Sequence, residues 1–399
     1  MSLDLTKVVA QVGEMVARLI AGGAERQQRL DKVFEIITEK SADIENLKKK
    51  IDASKTTWLV AVPQDALDRR YQSPSPPDDF TVIASDGSHI DVDRHRSARC
   101  YLINIGAVTF NYGANSDAAL DNFPRLYAGD DDMVITPPGN SNRRQPIAGP
   151  LLGIKRGVDE VGKLSEMAVE LPKASIALAL LDGSLILWGL EAYPDFVTET
   201  LLNKGFIKYL EAMKDANCNK QLALASYISL PRGGDVINIL RVALCPNDPL
   251  DTDWHCPDCQ SRECDAVAGV RDFELFQALL ADGERSALFA SQSSVVKKSY
   301  GEHRVHFFYL RSDEEIARVE IPQWVAQDEN LLDLTHSLVL DQCRRGHGYP
   351  VALSEAHEQA VLTMSDRENF WQLVEASLID EHLPTSTSGK SFSKRTRWV

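Results

Sequence analysis

The tripeptide Asp-Gly-Ser occurs twice in this sequence, at residues 86–88 and 182–184, each time where an apolar run ends. A strand leaving a sheet delivers its last side chain to the sheet's carboxyl edge, where open α/β sheets place their sites. Two aspartates there, Asp86 and Asp182, could share a divalent cation, because Mg²⁺ and Mn²⁺ favour hard oxygen donors. Asp-Gly is also ordinary turn chemistry. One copy alone says little; two copies, each after a hydrophobic strand, form the signal. Glu160 lies in a helical stretch before the second aspartate, with Glu166 and Glu170 further along it. Each of these alone reads as a solvated helix charge. His357 stands in YPVALSEAHEQA (349–360), three residues after Ser354. If Ser354 caps that helix, His357 falls in the first turn, where a neutral imidazole suited to metal ligation or water activation is favoured. A lone histidine is more often structural.

A second group of chemically capable residues is Cys245, Cys256, Cys259 and Cys264, with His255 adjoining. The core is C-x₂-C-x₄-C. Thiolates so arranged can bind zinc tetrahedrally or carry an iron–sulfur cluster, although the spacing is not the familiar paired C-x₂-C. Their position between strands points to an insertion at about 245–265 rather than a catalytic centre. No Walker loop, G-x-G-x-x-G, G-x-S-x-G or H-E-x-x-H occurs. Nucleotide-driven motors, dinucleotide enzymes, α/β-hydrolases and zincins are thereby disfavoured.

Elements must bring these residues together. The first 56 or so residues carry apolar side chains at near-helical spacing, from Val8 to Ile51, and predict a helical arm that Gly22 and Gly23 divide in two. A Pro-rich turn at 73–79 follows. Strands are expected at 80–86, 99–112, 174–182 and 221–229, with helices at 153–171 and about 195–215. Residues 113–150, rich in Gly, Pro, Asn and Asp, read as a long irregular excursion. Two β-rich runs at 303–311 and 316–322 precede helices at 331–345, 354–362 and about 366–379. The Ser/Thr-rich end, 383–399, with Lys390, Lys394, Arg395 and Arg397, reads as a flexible basic tail. The order is that of a mixed α/β fold, with one main domain over 57–382.

Composition bounds the function. The chain has 399 residues, with 43 Lys and Arg against 58 Asp and Glu, a net charge of −15. A chain so acidic is a poor generic polyanion binder, yet a nuclease needs an acidic site to hold divalent metal. No apolar run reaches the roughly 18 residues of a membrane helix. The start lacks a signal-peptide pattern, and seven cysteines do not suggest a secreted disulfide scaffold. The expectation is a cytoplasmic protein.

Several stretches, taken in order, resemble the NurA nuclease family: FTVIASDGSHI (80–90), the helix with Lys155, Arg156 and Glu160, LALLDGSLILW (178–188), SYISLPRGGDVINILR (226–241), FFYLR (307–311), ARVEIPQWVA (317–326) and LDLTHSLVLDQCRRGHGYPVALSEAHEQA (332–360). The resemblance covers about 55–380. It implies an RNase H-like mixed sheet flanked by helices, similar to the PIWI domain of Argonautes, here with an N-terminal helical arm and a Cys-rich insertion. It carries metal ligation and catalysis onto Asp86 of the first strand, Glu160 of the first helix, Asp182 of the fourth strand and His357 of a late helix. Glu166 competes with Glu160, and His336 is the fallback for His357. The implied chemistry is phosphodiester hydrolysis with two Mn²⁺ or Mg²⁺ ions. Arg156, Arg232 and Arg241 are candidate phosphate contacts, and Tyr227 or Tyr349 could stack a base. The resemblance further implies DNA end resection, by 5′–3′ exonuclease and single-strand endonuclease action on chiefly single-stranded DNA. It implies a homodimer working with a HerA-type hexameric helicase, which would deliver DNA to an acidic nuclease. Two other readings stay open: a non-catalytic scaffold subunit, and a redox or metal-sensing protein centred on the cysteines.

Overall fold

The computed structural model describes residues 4–40, 43–96, 98–139 and 142–383. The basic tail therefore lies outside the described residues, apart from its first position. The chain forms two compact units. One comprises Met1–Ser73, Ser229–Ser293 and His306–Val319; the other comprises Pro74–Ile228, Ser294–Val305 and Glu320–Val399.

The second unit is built on five strands: β1 (Phe80–Ile90), β2 (Tyr101–Tyr112), β3 (Asp117–Tyr127), β4 (Ile176–Asp182) and β5 (Gln221–Ile228). Their spatial order is β5-β4-β1-β2-β3. The first three form an antiparallel meander, while β4 runs parallel to β1 and β5 parallel to β4. This is the mixed α/β arrangement expected from the sequence. Strands β4 and β5, and β1 as far as Ala84, are largely apolar because both of their faces are covered.

Five helices matter to this sheet: α1 (Pro150–Glu170), α2 (Ile207–Ala216), α3 (Glu329–Arg345), α4 (Val351–Ala360) and α5 (Met364–Asp380). Helix α1 packs on β1, and α4 packs on β1 and β2. The main core joins Ile83, Ile103 and Ile105 of the sheet to Val158, Val161 and Leu164 of α1. Helix α3 is N-capped by Asp328, whose carboxylate accepts from the backbone N–H groups of Asn330 and Leu331.

The other unit buries Val33, Ile36 and Ile37 of the helix Thr6–Lys40 against Leu240, Phe276, Phe307 and Tyr309. At its centre Asp272 accepts hydrogen bonds from the N–H groups of Val236 and Ile237 and from the Tyr309 hydroxyl.

Two expectations about elements change. The N-terminal helix runs unbroken through Gly22 and Gly23; each glycine costs about 1 kcal/mol of helix propensity, which flanking good helix formers outweigh. The 113–150 segment is not wholly irregular, because it contains β3, an eleven-residue edge strand hydrogen-bonded along β2. All of β3 except Tyr127 is exposed, so its sequence shows no inside–outside alternation.

Candidate active site

The parallel register of β1 and β4 pairs Ser85 with Leu181, so Asp86 and Asp182 are the next positions on adjacent strands. Adjacent strands lie about 4.8 Å apart, and residues in register share a face of the sheet. The two Asp-Gly-Ser copies thus set two carboxylates side by side. Across β2 the residue opposite Asp86 is Gly106, and across β5 the residue opposite Asp182 is Tyr227.

Gly106 is there because α4 passes directly over it. A Cβ on Gly106 would stand 2.2 Å from the Ala356 carbonyl and 2.5 Å from the Ala360 nitrogen. The end of α4 is further fixed by Asn104, whose Nδ2 donates to the carbonyls of Gln359 (3.1 Å) and Ala360 (3.0 Å). Held so closely, α4 places His357 over the edge of β1, where its Nδ1 lies 2.8 Å from Asp86 Oδ2. The helix begins at Val351, directly after Pro350, and not at Ser354. His357 accordingly occupies the last turn, and the expected placement at a positive helix end does not hold.

Glu160 arrives from the opposite face. Strand residues alternate sides, so Ser85 and Gly87 face α1 while Asp86 faces α4. The Ser85 hydroxyl donates to the Glu160 carbonyl at 2.9 Å. A Cβ on Gly87 would stand 2.6 Å from Glu160 Oε1. The missing side chain is the space into which the carboxylate fits. Glu160 is 9% exposed, and its carboxyl is pushed up to about 7 by burial, opposed by Arg156 and reinforced by Asp86 and Asp182. Arg156 Nε stands 2.9 Å from Oε1, an ion-pair distance without hydrogen-bond alignment; both atoms are buried and otherwise unpartnered. Glu166 is exposed and pairs with Lys163, so Glu160 is the acid at the cluster. His336 is fully buried within α3.

Asp182 sits at the accessible lip of the sheet edge, yet its pKa is raised, first by the surrounding protein and also by the Asp86 charge; hydrogen bonding from Tyr349 and the nearby His357 oppose this. Tyr349 stacks edge-to-face on Tyr227 at 5.5 Å. Tyr227 is fully buried, so it packs behind Tyr349 and offers no face to a base. Arg232 and Arg241 belong to the other unit. Arg232 is exposed in the loop after β5, and Arg241 lies over the Trp58 ring. Three positioning residues escaped the sequence reading. Gly106 and Asn104 hold α4. Glu320, buried, accepts from the Ser184 hydroxyl (2.8 Å) and the Leu185 N–H (2.9 Å), fixing the turn after Asp182. A glycine inside a strand run was the available signal for close approach.

The donor set is three carboxylates and an imidazole, the chemistry of a hard or borderline divalent cation. The orphaned Glu160 oxygen and the mutual repulsion of the acids fit such a cation. Among the described residues, however, no three His, Cys, Asp or Glu side chains are gathered tightly enough to hold an ion as placed. Arg156 balances Glu160, and His357 is engaged with Asp86.

The NurA domain model matches residues 80–362, more than half of the chain. The chain belongs to the NurA family. It is therefore a member of a nuclease family, with the hydrolase chemistry, metal dependence and DNA binding general to that family. No curated protein matches it. Among solved structures, prototype foamy virus protease-reverse transcriptase is 12% identical at a TM-score of 0.20, over 39% of this chain and 19% of that chain. No helix among the described residues is long and apolar enough to cross a membrane.

Proposed function

We propose that this NurA-family chain is a Mn²⁺- or Mg²⁺-dependent deoxyribonuclease whose site is Asp86, Glu160, Asp182 and His357. The observation that carries the reading is the β1–β4 register, which sets Asp86 beside Asp182 with Glu160 and His357 brought to the same edge from opposite faces. Two cations bound by these groups would activate water and stabilise the leaving oxygen. The protein's part is to hold the carboxylates ready. Tyr349 orients Asp182, His357 orients Asp86, and Arg156 keeps Glu160 near the edge and is placed to meet a phosphate.

The biological reading is 5′–3′ exonuclease and single-strand endonuclease action in DNA end resection, by a cytoplasmic homodimer working with a HerA-type helicase. The net charge of −15 supports a division of labour in which the motor brings the DNA. The test is cleavage of labelled single- and double-stranded DNA with Mn²⁺, with and without a HerA-type ATPase. Asp86→Asn and Asp182→Asn should each abolish cleavage with circular dichroism unchanged. Full activity in either variant would remove the assignment.

A further inference from the structure

Outside the candidate active site, a second series of ligand-type side chains lies in the first unit, between the helices Ile237–Leu244 and Asp272–Leu279. Four of the seven cysteines fall there: Cys245 buried, Cys259 and Cys264 half-buried, Cys256 exposed. The intervening chain has little regular structure, only the short helix Thr252–His255 and the 3₁₀ turn Glu263–Val267. Its buried apolar side chains are few: Cys245, Leu250, Val267 and Val270. A long stretch with so little core of its own needs another source of order.

We propose that Cys245, Cys256, Cys259 and Cys264 bind one structural zinc ion as four thiolates. The loop directs backbone and side-chain donors at two of these sulfurs, Cys259 and Cys245. Cys256-Pro257-Asp258-Cys259 folds as a tight turn in which the Cys259 N–H donates to the Cys256 carbonyl at 3.3 Å. Arg262 takes a left-handed conformation, φ 45°, which a non-glycine residue adopts rarely. Its backbone N–H there donates to Cys259 Sγ at 3.4 Å. On the far side of the loop, Asn247 Nδ2 donates to Cys245 Sγ at 3.8 Å. N–H groups aimed at sulfur favour the anionic form that binds metal.

The thiols are close enough to act on one another: Cys245 and Cys259 act electrostatically on Cys256, and Cys245 and Cys256 act on Cys264. Burial first, and these interactions with it, hold both thiols above the ordinary range until a cation is bound. Arg241 faces both Cys256 and Cys264, a cation placed to offset the double negative charge of a four-thiolate zinc centre. An i, i+3 pair with two remote cysteines is the donor pattern of a closed tetrahedral site. As placed, the sulfurs do not converge on one point, so ligation must draw the loop inward. What it would tighten is visible. Val267 packs with Val33, Ile36 and Ile37 of the N-terminal helix, and Arg29 Nη1 of that helix donates to the Ala268 carbonyl. The ion would clamp the floor on which this helix rests.

The experiment uses the full chain, expressed in zinc-supplemented medium and purified without chelator, with metal measured by mass spectrometry. Near one zinc per chain is expected, retained in Cys218→Ser and in Asp86→Asn and lost in the double variant Cys256→Ser/Cys259→Ser. Because the double variant could fail to fold, wild-type protein is also stripped and reloaded with Co²⁺. The intense thiolate-to-cobalt charge-transfer bands of a four-sulfur site are expected, with a melting temperature that falls on stripping and recovers on reloading. Protein that holds no zinc and melts unchanged after chelation would overturn the proposal. So would iron with labile sulfide in place of zinc, or full zinc retention in the double variant. Since Asp86→Asn reads the other site, failure here leaves the nuclease assignment intact.

Discussion

At the residue scale, Glu160 concentrates the physics of the site. A buried carboxyl whose pKa is about 7 in the fold, against 4.5 as a free side chain, favours folding only while it is protonated. That contribution is full below about pH 4.5 and is lost as pH rises to about 7. A shift of this size amounts to about 3 kcal/mol across the window. Metal-free protein should therefore lose melting temperature between about pH 5 and pH 7, and Glu160→Gln should flatten that loss. A divalent cation reverses the sign, because it supplies the ionised carboxylate with a partner. Stabilisation by Mn²⁺ should grow with pH through the same window. Melting curves with and without Mn²⁺ at several pH values check both. An equal pH slope in wild type and Glu160→Gln would show that this carboxyl is not the buried group titrating.

At the element scale, the site depends on how closely α4 lies on the sheet. Gly106→Ala places a methyl group 2.2 Å from the Ala356 carbonyl, an overpacking that costs about 1–3 kcal/mol. It should also lift His357 from Asp86, so cleavage should fall further than the loss of stability accounts for. Asn104→Leu removes the two bonds to the end of α4, with an expected loss of about 1–2 kcal/mol and weaker activity at limiting Mn²⁺. Denaturant unfolding beside cleavage rates separates the two effects; wild-type rates in both variants would show that α4 does not set the site. These contacts also mark what the sequence made legible. Asp86 and Asp182 were readable because each follows an apolar run. Asp182 ends β4, whereas β1 continues past Asp86 to Ile90, and the parallel register, which stops at Ser85, fixes their proximity. Glu160 could not be told from Glu166 by spacing, since the choice depends on the gap at Gly87. His357 was assigned to the wrong end of its helix because Pro350, not Ser354, starts it. Strand β3 escaped notice because an edge strand exposed on both faces carries no periodic signal.

At the scale of the whole molecule, the striped pattern of the N-terminal helix remains to be accounted for. Val9, Val12, Val16 and Leu19 recur at alternating spacings of three and four residues and are 68, 46, 43 and 63% exposed, whereas Val33, Ile36 and Ile37 further along the same helix are buried. A seam of that period, with valine at both residues of one repeat position (Val9, Val16) and Val12 and Leu19 at the other, has the apolar pattern of a coiled coil. The helix is anchored at one end in its own unit, and the apolar residues of its first half are exposed. The proposed homodimer then has a testable contact. Val16→Glu/Leu19→Glu puts a charge at two adjacent seam positions without touching the buried half, so the monomer's melting temperature should barely move. Light scattering after size exclusion should show the wild type at twice the mass of one chain and this variant at one. A variant that stays dimeric would place the self-contact elsewhere, with the exposed edge of β3 and its Leu120, Phe123 and Leu126 as the next surface to mutate.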